Sequence, residues 1–98
     1  MDDGLAIARR RVRIVNVYGL HMRPSTKFVT IAARFRSVVW VEVQGVKVNG
    51  KSILEMTTLA AECGSMIDLE AKGDDAEQAI EALAALVDAG FFMEDEPV

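Results

Sequence analysis

The stretch MIDLEAKGDDAEQAIEALAALV, residues 66 to 87, changes its hydrophobic period from two to nearly four, and no other feature constrains the fold as tightly. In MIDLEAK (66 to 72), Ile67, Leu69 and Ala71 alternate with Asp68, Glu70 and Lys72. Successive strand side chains point to opposite faces, so this segment reads as an antiparallel strand with one face on a core and the other in water. Gly73 ends it. Beyond it, Ala76, Ile80, Leu83 and Val87 recur at helical spacing, and an amphipathic helix of that kind buries its stripe by lying on the sheet. Asp74 with Glu77 predicts a capping-box start, and Gly90 predicts the C-terminal cap.

The rest of the chain supplies partners for that unit. RRVRIVNV (10 to 17) alternates Arg11 and Arg13 with Val12 and Ile14, giving a first strand that Gly19 breaks,. From Met22 to about Arg34, Phe28, Ile31, Ala32 and Phe35 follow helical spacing,. Residues 37 to 43 and 46 to 49 form a hairpin through Gln44 and Gly45,. Its first strand carries Val39, Val41 and Val43 on one face and Val38, Trp40 and Glu42 on the other, with Trp40 expected on the sheet's open face. Ser52 is a good N-cap for a short helix containing Ile53, Leu54, Met56, Thr57 and Leu59, which Gly64 would terminate. The order is β-α-β-β-α-β-α, an α+β chain with a four-stranded antiparallel sheet and three helices on one face. A chain of 98 residues, 51% apolar, holds one core,. The expected unit is a single domain over 1 to 98 with its core at about 10 to 90. Phe91 or Phe92 would anchor the acidic tail, whose end frays.

Composition removes several function classes. A net charge of −4 opposes general nucleic-acid binding,. Arg9, Arg10, Arg11 and Arg13 read as solvated side chains entering the first strand, with a patch for an acidic partner as the alternative. The single cysteine, Cys63, cannot form an internal disulfide and reads as a small core residue,. No Cys or His cluster suggests a metal or cofactor site. MDDGLAIARR, at the start, suits neither a signal peptide nor a membrane span, so the expected location is the cytoplasm.

GVKVNGKS (45 to 52) matches the G-x-x-x-x-G-K-S/T phosphate loop letter for letter,. That loop works only as an open turn between a strand and a long helix, whose N–H groups wrap phosphates. Here Val46, Lys47, Val48 and Asn49 alternate as in a half-buried strand, so the hairpin reading is preferred. ATP turnover abolished by Lys51→Ala, with no phosphate on histidine, would restore the nucleotide reading.

The one histidine, His21, stands in VYGLHMRPSTKF, where a strand has ended and a helix begins. Unpartnered N–H groups and the positive end of the helix dipole favour an anion there, and Arg23 adds a permanent cation. Pro24 in the first turn loses no helical hydrogen bond, although proline disfavours helical geometry at Arg23. Neutral imidazole is a nucleophile able to take and release a phosphoryl group. The competing reading is a polar N-cap or surface residue. No second metal ligand is visible. Spacing leaves a Ser-His-Asp triad open, but no G-x-S-x-G elbow occurs.

GLHMRPS, then NGKSILEMTTL, then the DDAEQAIEALAALV helix resemble HPr, the histidine-containing phosphocarrier family of the bacterial phosphoenolpyruvate-dependent phosphotransferase system. The match runs from about Arg11 to Gly90, and the same order of elements is that family's open-faced sandwich. The resemblance implies a phosphoryl carrier rather than an enzyme. His21 would accept phosphate on Nδ1 from enzyme I and pass it to an enzyme II A-type component, with Arg23 neutralising the phosphate. Ser52 corresponds to the serine that a kinase/phosphorylase modifies in some members, and its alternative is a capping hydroxyl only. Leu20, Met22, Ile53 and Leu54 are candidates for the partner-docking patch, Leu54 being the more exposed of the helical pair; each could instead be core. The protein is expected to be a monomer. Met22 stands where a small alanine is common, and Glu55 and Thr57 make the second helix more polar than usual. The ending LVDAGFFMED also resembles the nitrogen-related NPr branch, a regulatory alternative, whereas K-S-I-L favours HPr proper.

Overall fold

A computed structural model describes residues 6 to 93. The elements are β1 (Ala6–Arg13), α1 (Met22–Ala32), β2 (Val38–Val43), β3 (Val46–Asn49), α2 (Ile53–Met56), β4 (Met66–Gly73) and α3 (Ala76–Asp88), followed by a 3-10 turn at Gly90–Phe92. The four strands form one antiparallel sheet in the order β1-β4-β2-β3. This is the expected β-α-β-β-α-β-α arrangement.

The alternation read from the sequence decides which face is covered. Val39, Val41, Val43, Ile67, Leu69 and Ala71 are all buried. Across from them lie Phe28 and Ala32 of α1, Met56 of α2, and Ile80, Leu83 and Val87 of α3. α3 packs over β1 and β4, α1 against α3, and α2 against α1 and β3. Each large side chain withdrawn from water in this core contributes about 1.5 to 3 kcal/mol before chain entropy is set against it. The other sheet face is open and charged. Arg9 pairs with Glu70 at 2.8 Å, Lys47 with the same carboxylate at 3.1 Å, and Arg11 with Asp68 at 2.9 Å. Trp40 lies on this face, 37% exposed, with the Lys47 ammonium 5.6 Å from its ring centre.

The hairpin between β2 and β3 turns on Gln44 (φ 49) and Gly45 (φ 83). Two successive positive φ values match the right-handed twist of paired strands, which is why a glycine is favoured at this turn.

Several boundaries differ from expectation. β1 starts at Ala6 and ends at Arg13, rather than spanning 10 to 17, because its partner β4 runs only from Met66 to Gly73. α1 stops at Ala32, and Ile31 and Phe35 are half-buried. α2 is only four residues long and closes on Thr57, so Gly64 does not terminate it. Cys63 is exposed, not core. Phe91 is fully buried and anchors the chain's end, whereas Phe92 is 62% exposed. The frayed end expected for the acidic tail falls on residues 94 to 98, and the leader reading partly on residues 1 to 5, both outside the described residues.

The start of α3 also departs from the capping box. Asp75, not Asp74, holds the N-cap position, and its carboxylate is spent outside the helix. It accepts from the backbone N–H of Arg36 at 2.9 Å, that of Ser37 at 3.0 Å, and the Ser37 hydroxyl. These bonds, the Ser37 hydroxyl first, pull the Asp75 carboxyl from 3.8 down to about 2. A carboxyl with a depressed folded-state value stabilises above its unfolded value and loses that contribution as pH falls through the folded one. Acid unfolding of the wild type should therefore show a loss of stability between pH 3.8 and about 2 that Asp75→Asn lacks. Identical acid limbs in both proteins, followed by circular dichroism, would refute this role.

Candidate functional site

The segment between β1 and α1 is built from backbone constraints. Ile14 continues the strand by donating to Ser65 O at 2.8 Å and accepting from Gly64 N at 2.7 Å. The chain then folds into a tight turn over residues 16 to 19. Gly19 N donates to Asn16 O at 3.2 Å, and the Asn16 side-chain amide donates to Gly19 O at 2.8 Å. Leu20 N donates to Ala61 O at 2.8 Å, tying the turn to the loop before β4. Gly19 has φ +70, and a Cβ built there would stand 2.3 Å from Ala61 O. Only a residue without a side chain fits this crossing.

His21 follows at the N-cap of α1 with extended backbone (φ −91, ψ −166). Its N–H donates to Gly19 O at 3.0 Å, and its carbonyl accepts the first helical bond, from Ser25 N at 3.1 Å. The imidazole does not act as the capping acceptor of its own helix, so the N-cap reading holds for the backbone and not for the ring. The ring is half-buried and meets Tyr18 edge-on, with centroids 6.0 Å apart and planes at 76°.

Arg23 lies exposed in the first turn, inside the helix despite the proline that follows. Pro24 is buried and occupies a position whose N–H would have no helical partner,. No acidic residue lies in this first turn. The positive end of an 11-residue helix thus lies at His21, with Arg23 two residues further along in the same first turn,. Among the described residues no group of three potential metal ligands occurs.

The second candidate region behaves as a strand and a cap. Residues 46 to 49 of GVKVNGKS are paired with β2. Gly50 N donates to Val39 O, and Lys51 Nζ donates to Phe35 O at 2.7 Å, so the lysine is tied to backbone. This geometry replaces the phosphate-loop reading. Ser52 caps α2: its hydroxyl accepts from Glu55 N at 3.2 Å.

The expected docking residues divide. Met22, Ile53 and Leu54 are 59%, 40% and 80% exposed, on adjoining helices α1 and α2. Leu20 is only 5% exposed and belongs to the core, because Leu20 N is held against Ala61 and the residue is drawn under the loop. Its candidacy for the docking patch is corrected accordingly. Sequence reasoning overlooked Asn16 and Tyr18. The usable signal was an Asn three residues before a Gly, a spacing typical of side-chain-closed turns.

The PTS-HPr family model, described as the PTS HPr component phosphorylation site, matches residues 8–89. The phosphocarrier protein HPr of Neisseria meningitidis serogroup A is 43% identical over 88 residues, covering 90% of this chain and 98% of that protein. The phosphocarrier protein NPr of Proteus mirabilis is 41% identical over 83 residues, covering 84% and 92% respectively. The crystal structure of HPr-C-His from Thermoanaerobacter tengcongensis aligns with a TM-score of 0.84 at 40% identity, covering 93% of this chain and 99% of that one.

Proposed function

Because this chain belongs to the HPr family of phosphotransferase-system phosphocarriers, we propose that His21 is its phosphoryl acceptor, loaded by enzyme I and unloaded by an enzyme II A-type component. The observation that carries this reading is the position of His21 at the N-cap of α1, with Arg23 and no acid in the first turn. A lone pair on Nδ1 attacks the donor's phosphorus as the donor's bond to phosphorus breaks and its electrons return to the donor. The reverse displacement delivers the group to the acceptor. Such a transfer requires in-line approach and charge neutralisation more than covalent assistance, and a partner docked over the helix start completes both.

Arg23 supplies the standing positive charge. A hydrogen bond or close pair to a charged group is worth about 1.5 to 3 kcal/mol, so Arg23→Ala should slow phosphoryl transfer roughly tenfold to a hundredfold. Stopped-flow transfer from phosphorylated enzyme I measures it, and an unchanged rate would remove Arg23 from the site.

Met22, Ile53 and Leu54 form the docking face for both partners, and the carrier works as a cytoplasmic monomer. Ser52 is the target of a kinase/phosphorylase. A phosphate on its hydroxyl adds close to two negative charges beside Ile53 and Leu54 and alters what docks there.

The relative from the NPr branch supports a second reading, in which the acceptor is regulatory and no sugar is taken up. Incubation with enzyme I, phosphoenolpyruvate and either a sugar-type or a nitrogen-type acceptor separates the two. Transfer to the nitrogen-type acceptor alone would defeat the sugar-uptake reading. Absence of acid-labile phosphate on the wild-type protein would defeat both.

A further inference from the structure

We propose that Tyr18 is a positioning residue for His21, its ring fixing the rotation of the imidazole about its own side-chain bonds; this rests on the carrier reading above. The two rings meet edge-on at 6.0 Å and 76°, within the range and orientation that aromatic pairs favour electrostatically. The contact joins two rigidly held backbones. Tyr18 lies in the turn clasped by the Gly19 N to Asn16 O bond and by the Asn16 amide to Gly19 O bond. Asn16 is only 6% exposed, so water does not compete for that clasp. His21 in turn is held by its N–H on Gly19 O and its carbonyl on Ser25 N. With both backbones held, the contact between the two rings restricts the side-chain torsions on either side of it.

That restriction bears on chemistry. Rotating an imidazole about its bond to Cβ redirects both ring nitrogens, and an attacking nitrogen must point along the donor's phosphorus axis. Tyr18 is 56% exposed, too open to be an anchor of the core, and a side chain so placed contributes little to folding. Its contact with the histidine is therefore the feature that a functional assay should detect.

Tyr18→Leu keeps apolar reach and removes the ring, while Tyr18→Phe keeps the ring and removes the hydroxyl. In the unphosphorylated protein, proton NMR should show the Hε1 and Hδ2 resonances of His21 displaced in Tyr18→Leu and near their original positions in Tyr18→Phe. Transfer from enzyme I at saturating carrier should fall about threefold to tenfold in Tyr18→Leu, the size of a lost aromatic pair, with KM for the carrier nearly unchanged. Tyr18→Phe should recover most of that loss. Unmoved His21 resonances, a wild-type maximal rate in Tyr18→Leu, a loss confined to KM, or a loss that Tyr18→Phe does not recover would each overturn the proposal. The NMR arm involves no phosphate, so it decides the ring contact even if the wild type takes up none, an outcome that overturns the carrier reading instead.

Discussion

His21→Ala should take up no acid-labile phosphate from phosphoenolpyruvate and enzyme I, and should pass none to any acceptor. The chain has one histidine, so the substitution removes every imidazole. Serine and threonine hydroxyls near the site cannot substitute, since they lack both the nucleophilicity of a neutral ring nitrogen and the acid-labile bond it forms. The loss should be complete within detection rather than graded, because the acceptor atom itself is gone. Folding should barely change. The side chain is half-buried and does not cap its helix, and such positions move stability by about 1 kcal/mol or less. Radiolabelled transfer combined with thermal melting therefore separates chemistry from folding. Acid-labile phosphate on His21→Ala would end the assignment, and a melting transition far below the wild type would show that the ring has a structural duty as well.

Legibility followed the range of the interaction that decides each feature. β4 and α3 were readable because burial on one face imposes a period on many consecutive residues, and the periods of two and 3.6 are distinct. The hairpin was readable because Gln44 and Gly45 sit between two alternating runs. Failures occurred where a distant residue decided the outcome. Asp74 reads as the cap because Glu77 follows it at capping-box spacing, but Asp75 holds that position and meets Arg36 and Ser37 across 39 and 38 positions of chain. Leu20 and Cys63 exchanged their expected environments for the same reason. The loop around residue 61 draws Leu20 inward, while Cys63 lies on its outer side. At the candidate site, the helix start at His21 and the place of Arg23 in its first turn follow from local signals. The turn that presents them depends on the close approach of Gly19 to Ala61, and no local pattern encodes that.

Gly19→Ala should damage both folding and transfer, although the residue has no chemistry of its own. The added Cβ would lie 2.3 Å from Ala61 O and 2.8 Å from Glu62 Cα. Both are backbone atoms, so no side chain can swing aside. Relief requires the turn over residues 16 to 19 to withdraw from the loop, which stretches the 2.8 Å bond from Leu20 N to Ala61 O. Adding the penalty for alanine at φ +70, about 1 to 2 kcal/mol, to overpacking of about 1 to 3 kcal/mol gives a destabilisation of about 3 kcal/mol. For a domain of this size that lowers the melting temperature by on the order of 15 °C. Function should fail further than folding does. Gly19 O is the acceptor for His21 N–H, so moving the turn moves the N-cap and the imidazole with it, and transfer per folded molecule should drop at least about tenfold, as small misplacements of reacting groups do. Gly45→Ala is the control, because its Cβ meets nothing within 4 Å and it shares only the positive φ, here +83. It should lose about 1 kcal/mol and leave transfer at the wild-type rate. If the two alanines cost the same stability and the same activity, the crossing at Ala61 does not hold the histidine in place. If Gly19→Ala alone loses transfer while still folded at low temperature, the backbone contact across the sequence is what aims the ring.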